Sequence, residues 1–220
     1  MNIQVDLLNV TPLKIVVGAI RQCYESFENS DSGCKDNDGM VSSNLPYKLG
    51  PKDKALVERI IDHGHTSTLE HIVFNFQIKG ISRLNLQELA RHRIASPSVK
   101  STRYTLKELK NESAFDMSED SFIRASKYIN FIEIDEIDRA SLQALENVRI
   151  LIKSGKYSND KIKYCLPECY RTDLYWSVNV RSLQNFLTLR TSDQAHFEIR
   201  ELANKIYDKI PADYKFLFKV

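Results

Sequence analysis

The sequence predicts a mixed α+β fold, an antiparallel sheet flanked by helices. Three observations carry that prediction. Ile72, Phe74, Phe76 and Ile78 alternate with Val73, Asn75, Gln77 and Lys79, the best strand signal in the chain. Tyr170, Thr172, Leu174, Trp176 and Val178 alternate with polar positions in the same way. Elsewhere apolar residues recur at helical spacing, with no internal repeat.

Taken in order, residues 2–10 read as a first strand, with Ile3, Val5 and Leu7 on one face. Thr11-Pro12 reads as a helix start with proline at the first helical position. Leu13, Val16, Val17, Ile20 and Tyr24 continue that helix to about Phe27. Residues 28–52 are polar, with Gly33, Gly39 and Gly50, and predict a long loop of the kind that is functional or mobile. A helix resumes at Asp53 and stops at His63-Gly64, where glycine suits the cap. The hydroxyl-rich Thr66–His71 precedes the second strand, which Gly80 should end. Ser82 caps a short helix that delivers Arg91-His92-Arg93, and Ser96-Pro97-Ser98 forces an extended or turned backbone. Two amphipathic helices follow, over 119–132 and 135–153, then a short one from Asp160 to Leu166 broken by Pro167. After the Tyr170–Val178 strand, Arg181–Arg190 and a last helix from Asp193 to before Pro211 complete the chain.

At 220 residues, 42% hydrophobic and 27% charged, one domain over 1–220 is the default. No apolar run is long enough to span a bilayer. The first residues lack a basic segment followed by an apolar one, so the expected location is the cytoplasm. Cys23, Cys34, Cys165 and Cys169 show no paired CxxC spacing and are expected to be reduced.

The formal charge is only +2, yet seven Lys/Arg face one acid, Glu88, between Lys79 and Lys107. Residues 108–146 reverse the sign, with ten acids against four Lys/Arg. The basic stretch alternates cations with hydroxyls, the donor set a phosphate needs: arginine gives a planar fork, lysine a point charge, serine and threonine short hydroxyls. On a continuing helix, Glu88, Arg91 and His92 share one side and Arg93 points about 200° away from Arg91. Lys100, Ser101 and Arg103 are expected on non-helical backbone. Each charge-assisted hydrogen bond contributes roughly 1.5–3 kcal/mol, so three or four make a tight anion site. The helix macrodipole alone accounts for Arg91 and Arg93 at a helix C-terminus. It does not account for Ser101, Arg103 and Tyr104 at their fixed offset.

Two other classes compete. His63, His65 and His71 with Glu70 suggest a metal-dependent phosphohydrolase, although His63-x-His65 lacks helical i, i+4 spacing. A nucleic-acid-binding module is the other reading, but only Tyr104 interleaves the charges. Ser101 as a covalent nucleophile needs an adjacent base, and none lies at an obvious spacing.

Arg91-His92-Arg93, seven residues, then Ser101 and Arg103-Tyr104 resembles the signature of the flavin-dependent thymidylate synthases, the ThyX family. Gly64-His65, Ser67 and Glu70-His71-Ile72-Val73-Phe74 look like that family's earlier flavin-site segment. Asn179-Val180-Arg181-Ser182-Leu183-Gln184-Asn185-Phe186-Leu187, with Leu189-Arg190, looks like its C-terminal segment. The resemblance implies a homotetramer with shared active sites. It would make thymidylate from deoxyuridylate (dUMP), with 5,10-methylenetetrahydrofolate as carbon donor and NADPH as reductant through bound FAD.

Carried over residue by residue, Ser67, Arg91, His92, Arg93, Asn179, Val180, Arg181 and Asn185 would bind FAD. Glu88, Arg91, Lys100, Ser101, Thr102, Arg103, Lys163 and Arg190 would bind dUMP. Arg190 would also favour the ionised, nucleophilic form of the uracil. His65 and Ser26 are possible flavin or folate contacts. No metal, nucleic acid or membrane is implied. Seven glycines and no GxGxxG rule out a Rossmann-type flavin site, which this family does not use. The chain departs from the family's pattern at Glu88-Leu89, where glutamine then tryptophan is frequent. It departs again at Ser98-Val99, in place of the usual Asn-Glu, and at Lys163, in place of a nucleotide-binding arginine. Lysine keeps the charge there and loses the bidentate fork.

Overall fold

The computed structural model describes residues 2–32 and 48–218. Most of the predicted long loop, including Cys34, lies outside the described residues.

Strand β1 (Gln4–Val10) leads into helix α1 (Lys14–Tyr24). Helix α2 spans Pro51–Asp62, strand β2 Val73–Ser82 and helix α3 Arg83–Ala90. Strand β3 (Ala95–Val99) is followed by the single turn α4 (Thr102–Thr105), then by α5 (Glu119–Ala125), α6 (Asp135–Ser154) and α7 (Asn159–Ile162). Strand β4 (Arg171–Asn179) runs directly into α8 (Val180–Arg190), and α9 is Phe197–Asp208. The strands form one antiparallel sheet in the order β1-β2-β4-β3. The predicted mixed class and antiparallel sheet are therefore correct. Pro97 sits in the edge strand β3, the part of a sheet where proline is tolerated.

The chain forms two compact units. One comprises residues 1–4, 78–91 and 97–175. Its core joins Leu106, Leu109 and Phe115 to the inner stripe of α6, Leu142, Leu145, Val148 and Ile152. That helix reads as its sequence requires: Asp135, Glu136 and Asp138 occupy the first turn, and Gly155 ends it at φ +65°. The other comprises residues 5–77, 92–96 and 176–220. Phe74, Phe76, Trp176 and Phe186 run through it as a chain of aromatic contacts at 5.2–6.3 Å. Tyr214 and Phe218 pack edge-on against Phe74.

Several boundaries move from their predicted places. Helix α1 begins at Lys14, not at Thr11-Pro12, because the Thr11 hydroxyl and amide are bonded to the Val73 backbone instead. It ends at Tyr24, where Glu25 takes φ +46°. Helix α5 stops at Ala125 rather than 132. Residues 128–130 are drawn off to bond the backbone of Cys169 and Arg171, with an antiparallel bridge from Ile129 to Tyr170. Helix α9 starts at Phe197, not Asp193: His196 Nδ1 caps it by accepting from the Glu198 amide, while Asp193 pairs with Arg200.

Gly80 does not end β2; the strand passes through it to Ser82. It takes φ +78°, and a Cβ there would lie 2.6 Å from the Asn2 carbonyl oxygen and 2.4 Å from an Arg171 Nη atom. The arginine tip is movable, but the backbone oxygen is not. Gly80→Ala should therefore lower stability by about 1–3 kcal/mol, read as a fall in the chemical denaturation midpoint without a change in slope.

Candidate active site

Helix α8 carries most of the C-terminal signature segment, and its first residues are set by local chemistry. Asn179 caps it: its side-chain oxygen accepts from the Ser182 amide at 2.8 Å, which leaves its NH2 group for another partner. Val180 is fully buried and its amide donates to the Ile72 carbonyl at 2.9 Å, so it anchors the start of the helix. One residue on, Arg181 Nη1 meets Glu70 Oε1 at 2.7 Å. Glu70 belongs to the 3₁₀ segment Thr66–His71, which also presents an exposed Ser67. Asn185 is exposed one turn after Arg181. Two predicted flavin-site segments are thus joined at the beginning of α8.

The end of α8 joins the Arg-His-Arg segment. Arg190 Nε donates to His92 Nε2 at 3.0 Å. An arginine nitrogen only donates, so that ring nitrogen carries the lone pair in this arrangement. The imidazole also packs edge-on to Phe186, with centroids 4.9 Å apart, and Phe186 is itself edge-on to Trp176. His92 is therefore held on two sides, by the buried aromatic chain and by the guanidinium.

The helical phase expected for the Arg triplet does not hold. Helix α3 ends at Ala90 and Arg91 is its C-cap; His92 and Arg93 have left the helix. Arg91 thus sits where the macrodipole favours a cation, and Arg93 does not. Both are exposed and form no ion pair among the described residues. Glu88, on the last turn of α3, accepts the Arg91 amide on its carbonyl at 3.4 Å.

The other residues predicted for the nucleotide site, Lys100, Ser101, Thr102, Arg103 and Lys163, lie in the unit that contains α4 and α7. Lys100 and Ser101 lie on non-helical backbone as expected, but Arg103 lies in the helical turn Thr102–Thr105, which begins one residue after Ser101. The Lys100 amide donates to the Asp173 carbonyl, and its ammonium lies 3.8 Å from Glu108. Arg103 Nε pairs with Asp160 Oδ1 at 3.0 Å, and Lys163 Nζ approaches the same oxygen at 3.7 Å. Two of the cations expected at the nucleotide thus gather on one carboxylate.

Ser26 and His65 line one cleft of about 620 Å³, with Tyr24, Asn29, Lys52, Arg59 and His63 among its other walls. Arg21, another of its walls, is almost fully buried. It donates to the Asp53 carboxylate and to the carbonyls of Ser26 and Asn29. Burial works to raise the Asp53 pKa, but hydrogen bonds from Ser30, Ser32 and Arg21 outweigh it, and the carboxyl titrates below its usual range. Among the described residues, no three His, Cys, Asp or Glu side chains form a metal-holding group. His63 Nδ1 is 2.7 Å from the Arg59 carbonyl oxygen.

Sequence reasoning missed Glu70 as the partner of Arg181, Phe186 as the wall behind His92, and Asp160. The i, i+3 spacing of Asp160 and Lys163 was a usable signal; the other two contacts had none.

These features define a non-Rossmann α+β protein that sets out cations and amides near the ends of short helices. The family described as "Thymidylate synthase complementing protein" matches residues 6–212. A flavin-dependent thymidylate synthase of Wolinella succinogenes is 49% identical over 97% of this chain and 96% of its own. One of Campylobacter jejuni is 46% identical, over 98% and 96%. The crystal structure of the Helicobacter pylori enzyme ThyX with FAD and dUMP superposes with a TM-score of 0.87, at 43% identity, over 99% of this chain and 98% of that one. The chain belongs to the flavin-dependent thymidylate synthase family.

Proposed function

We propose that this enzyme methylates dUMP reductively to thymidylate, taking its one-carbon unit from 5,10-methylenetetrahydrofolate and its electrons from NADPH by way of FAD. The observation that carries the reading is the pair of contacts on α8, Arg181 to Glu70 and Arg190 to His92. They tie two separated signature segments to the third, which α8 carries.

The donor set suits FAD: exposed Ser67, Arg91, Arg93 and Asn185, with the Asn179 amide, would hold its phosphates and ring edges. When bound, the flavin supplies the hydride chemistry. His92 orients Arg190 through Nε and fixes the plane of its guanidinium. Arg190 then stabilises negative charge developing on a uracil carbonyl, as a pre-placed donor does best. Ser101, Arg103 and Lys163, with Lys100 and Thr102, take the nucleotide phosphate, and Glu88 borders the nucleotide. The cleft lined by Ser26 and His65 takes folate or flavin.

We read residues 1–220 as one domain, in keeping with a single family match over residues 6–212. We place it in the cytoplasm as a homotetramer with shared sites. No helix among the described residues is long and apolar enough to cross a membrane. The purified protein should be yellow, and should oxidise NADPH faster when dUMP is added. A protein that takes up no FAD, or whose NADPH oxidation ignores dUMP, would overturn the reading.

A further inference from the structure

The first turn of α7 grips Arg103 at both ends. Asn159 Nδ2 donates to the Arg103 backbone carbonyl at 2.7 Å, and Asp160 Oδ1 lies 3.0 Å from Arg103 Nε. The ion pair engages the guanidinium at Nε, the side turned away from the Nη fork that would take a phosphate in a bidentate contact. Lys163, one turn further along, approaches the same carboxylate oxygen at 3.7 Å. Without that carboxylate both long stems would be free to move, since the Arg103 side chain is 59% exposed and that of Lys163 42%. One carboxylate between them keeps both cations within reach of a single anion and reduces the rotamer freedom lost when it binds.

We propose that Asn159 and Asp160 are positioning residues for the dUMP phosphate, acting through Arg103 and, for Asp160, also through Lys163. The inference rests on the reading that Arg103 and Lys163 bind that phosphate. It adds two residues that hold them ready and touch no substrate. A carboxylate beside a phosphate site also repels the ligand, so the sign of its effect is informative. A positioning carboxylate strengthens nucleotide binding when present, whereas a competing one weakens it.

The test uses the flavin-loaded full-length enzyme. Asp160→Asn should raise the KM and dissociation constant for dUMP on the order of 3–10-fold, with kcat at saturating nucleotide within about twofold of wild type. Asn159→Ala should shift the same constants less, Asp160→Glu should restore much of the loss, and thermal stability should hardly move. In an Arg103→Ala, Lys163→Ala background, Asp160→Asn should have no further effect. Unchanged or tighter dUMP binding in Asp160→Asn, or an equal loss in the double-alanine background, overturns the inference. If wild type binds dUMP and Arg103→Ala weakens it while Asp160→Asn does not, this inference alone fails. If wild type does not bind dUMP, the functional reading falls with it.

Discussion

Arg190→Ala should lower kcat by about 10²–10³-fold, the usual cost of removing one pre-placed donor to developing charge. The protein should stay folded, because Arg190 is the last residue of α8 and only partly buried. Arg190→Lys is the sharper variant. Lysine keeps the charge but has neither the Nε donor that meets His92 nor the planar fork, so it should be nearly as slow as alanine. The measurement is single-turnover conversion of dUMP by the prereduced, flavin-loaded enzyme, which removes the NADPH step from the readout. Full turnover by Arg190→Lys would mean that charge alone suffices and that the bond to His92 does not matter.

Asp53→Asn should cost about 3–5 kcal/mol of stability, because it leaves the Arg21 charge buried and uncompensated. The side chains of this pair are 5% and 0% exposed, so solvent cannot take up the loss. For a chain of this size that corresponds to a fall in melting temperature on the order of 10 °C. The folded-state pKa of Asp53 is lowered. Its contribution is therefore fully present above the usual carboxylate range and disappears as pH falls through the lowered value. The gap between wild type and Asp53→Asn should close in acid. A gap that persists unchanged to low pH would assign the loss to packing, not charge. Because Arg21 also holds the carbonyls of Ser26 and Asn29, the variant should loosen one wall of the Ser26–His65 cleft.

The elements that were legible in the sequence are those whose signals are local. The alternation in 72–79 and 170–178 is a two-residue period, and it appears as Phe74, Phe76 and Trp176 buried in β2 and β4. The Ser82 cap three residues before Asn85, and Gly64 just past α2, are also readable from neighbours alone. Element ends were less legible where a distant backbone competes for the same hydrogen bonds. Thr11 was lost to Val73, residues 128–130 to Cys169 and Arg171, and Gly80 was kept inside its strand against Asn2 and Arg171.

The sequence by itself determined the kinds of side chain present and the order of the segments that bear them. An Arg-His-Arg triplet, a serine at fixed offset and the Asn179–Leu187 segment with Leu189-Arg190 are properties of neighbouring residues, and they were enough to point to a family. Only the tertiary structure decided which side chain meets which. His92 and Arg190 are 98 residues apart, Glu70 and Arg181 111 apart, and each pair is brought to hydrogen-bond distance by strands β2 and β4 and the helices leaving them. Asp160 became visible as the holder of Arg103 for the same reason. A charge read along a chain has no partner until folding fixes a distance, and electrostatic and hydrogen-bond energies depend on that distance, not on spacing in sequence.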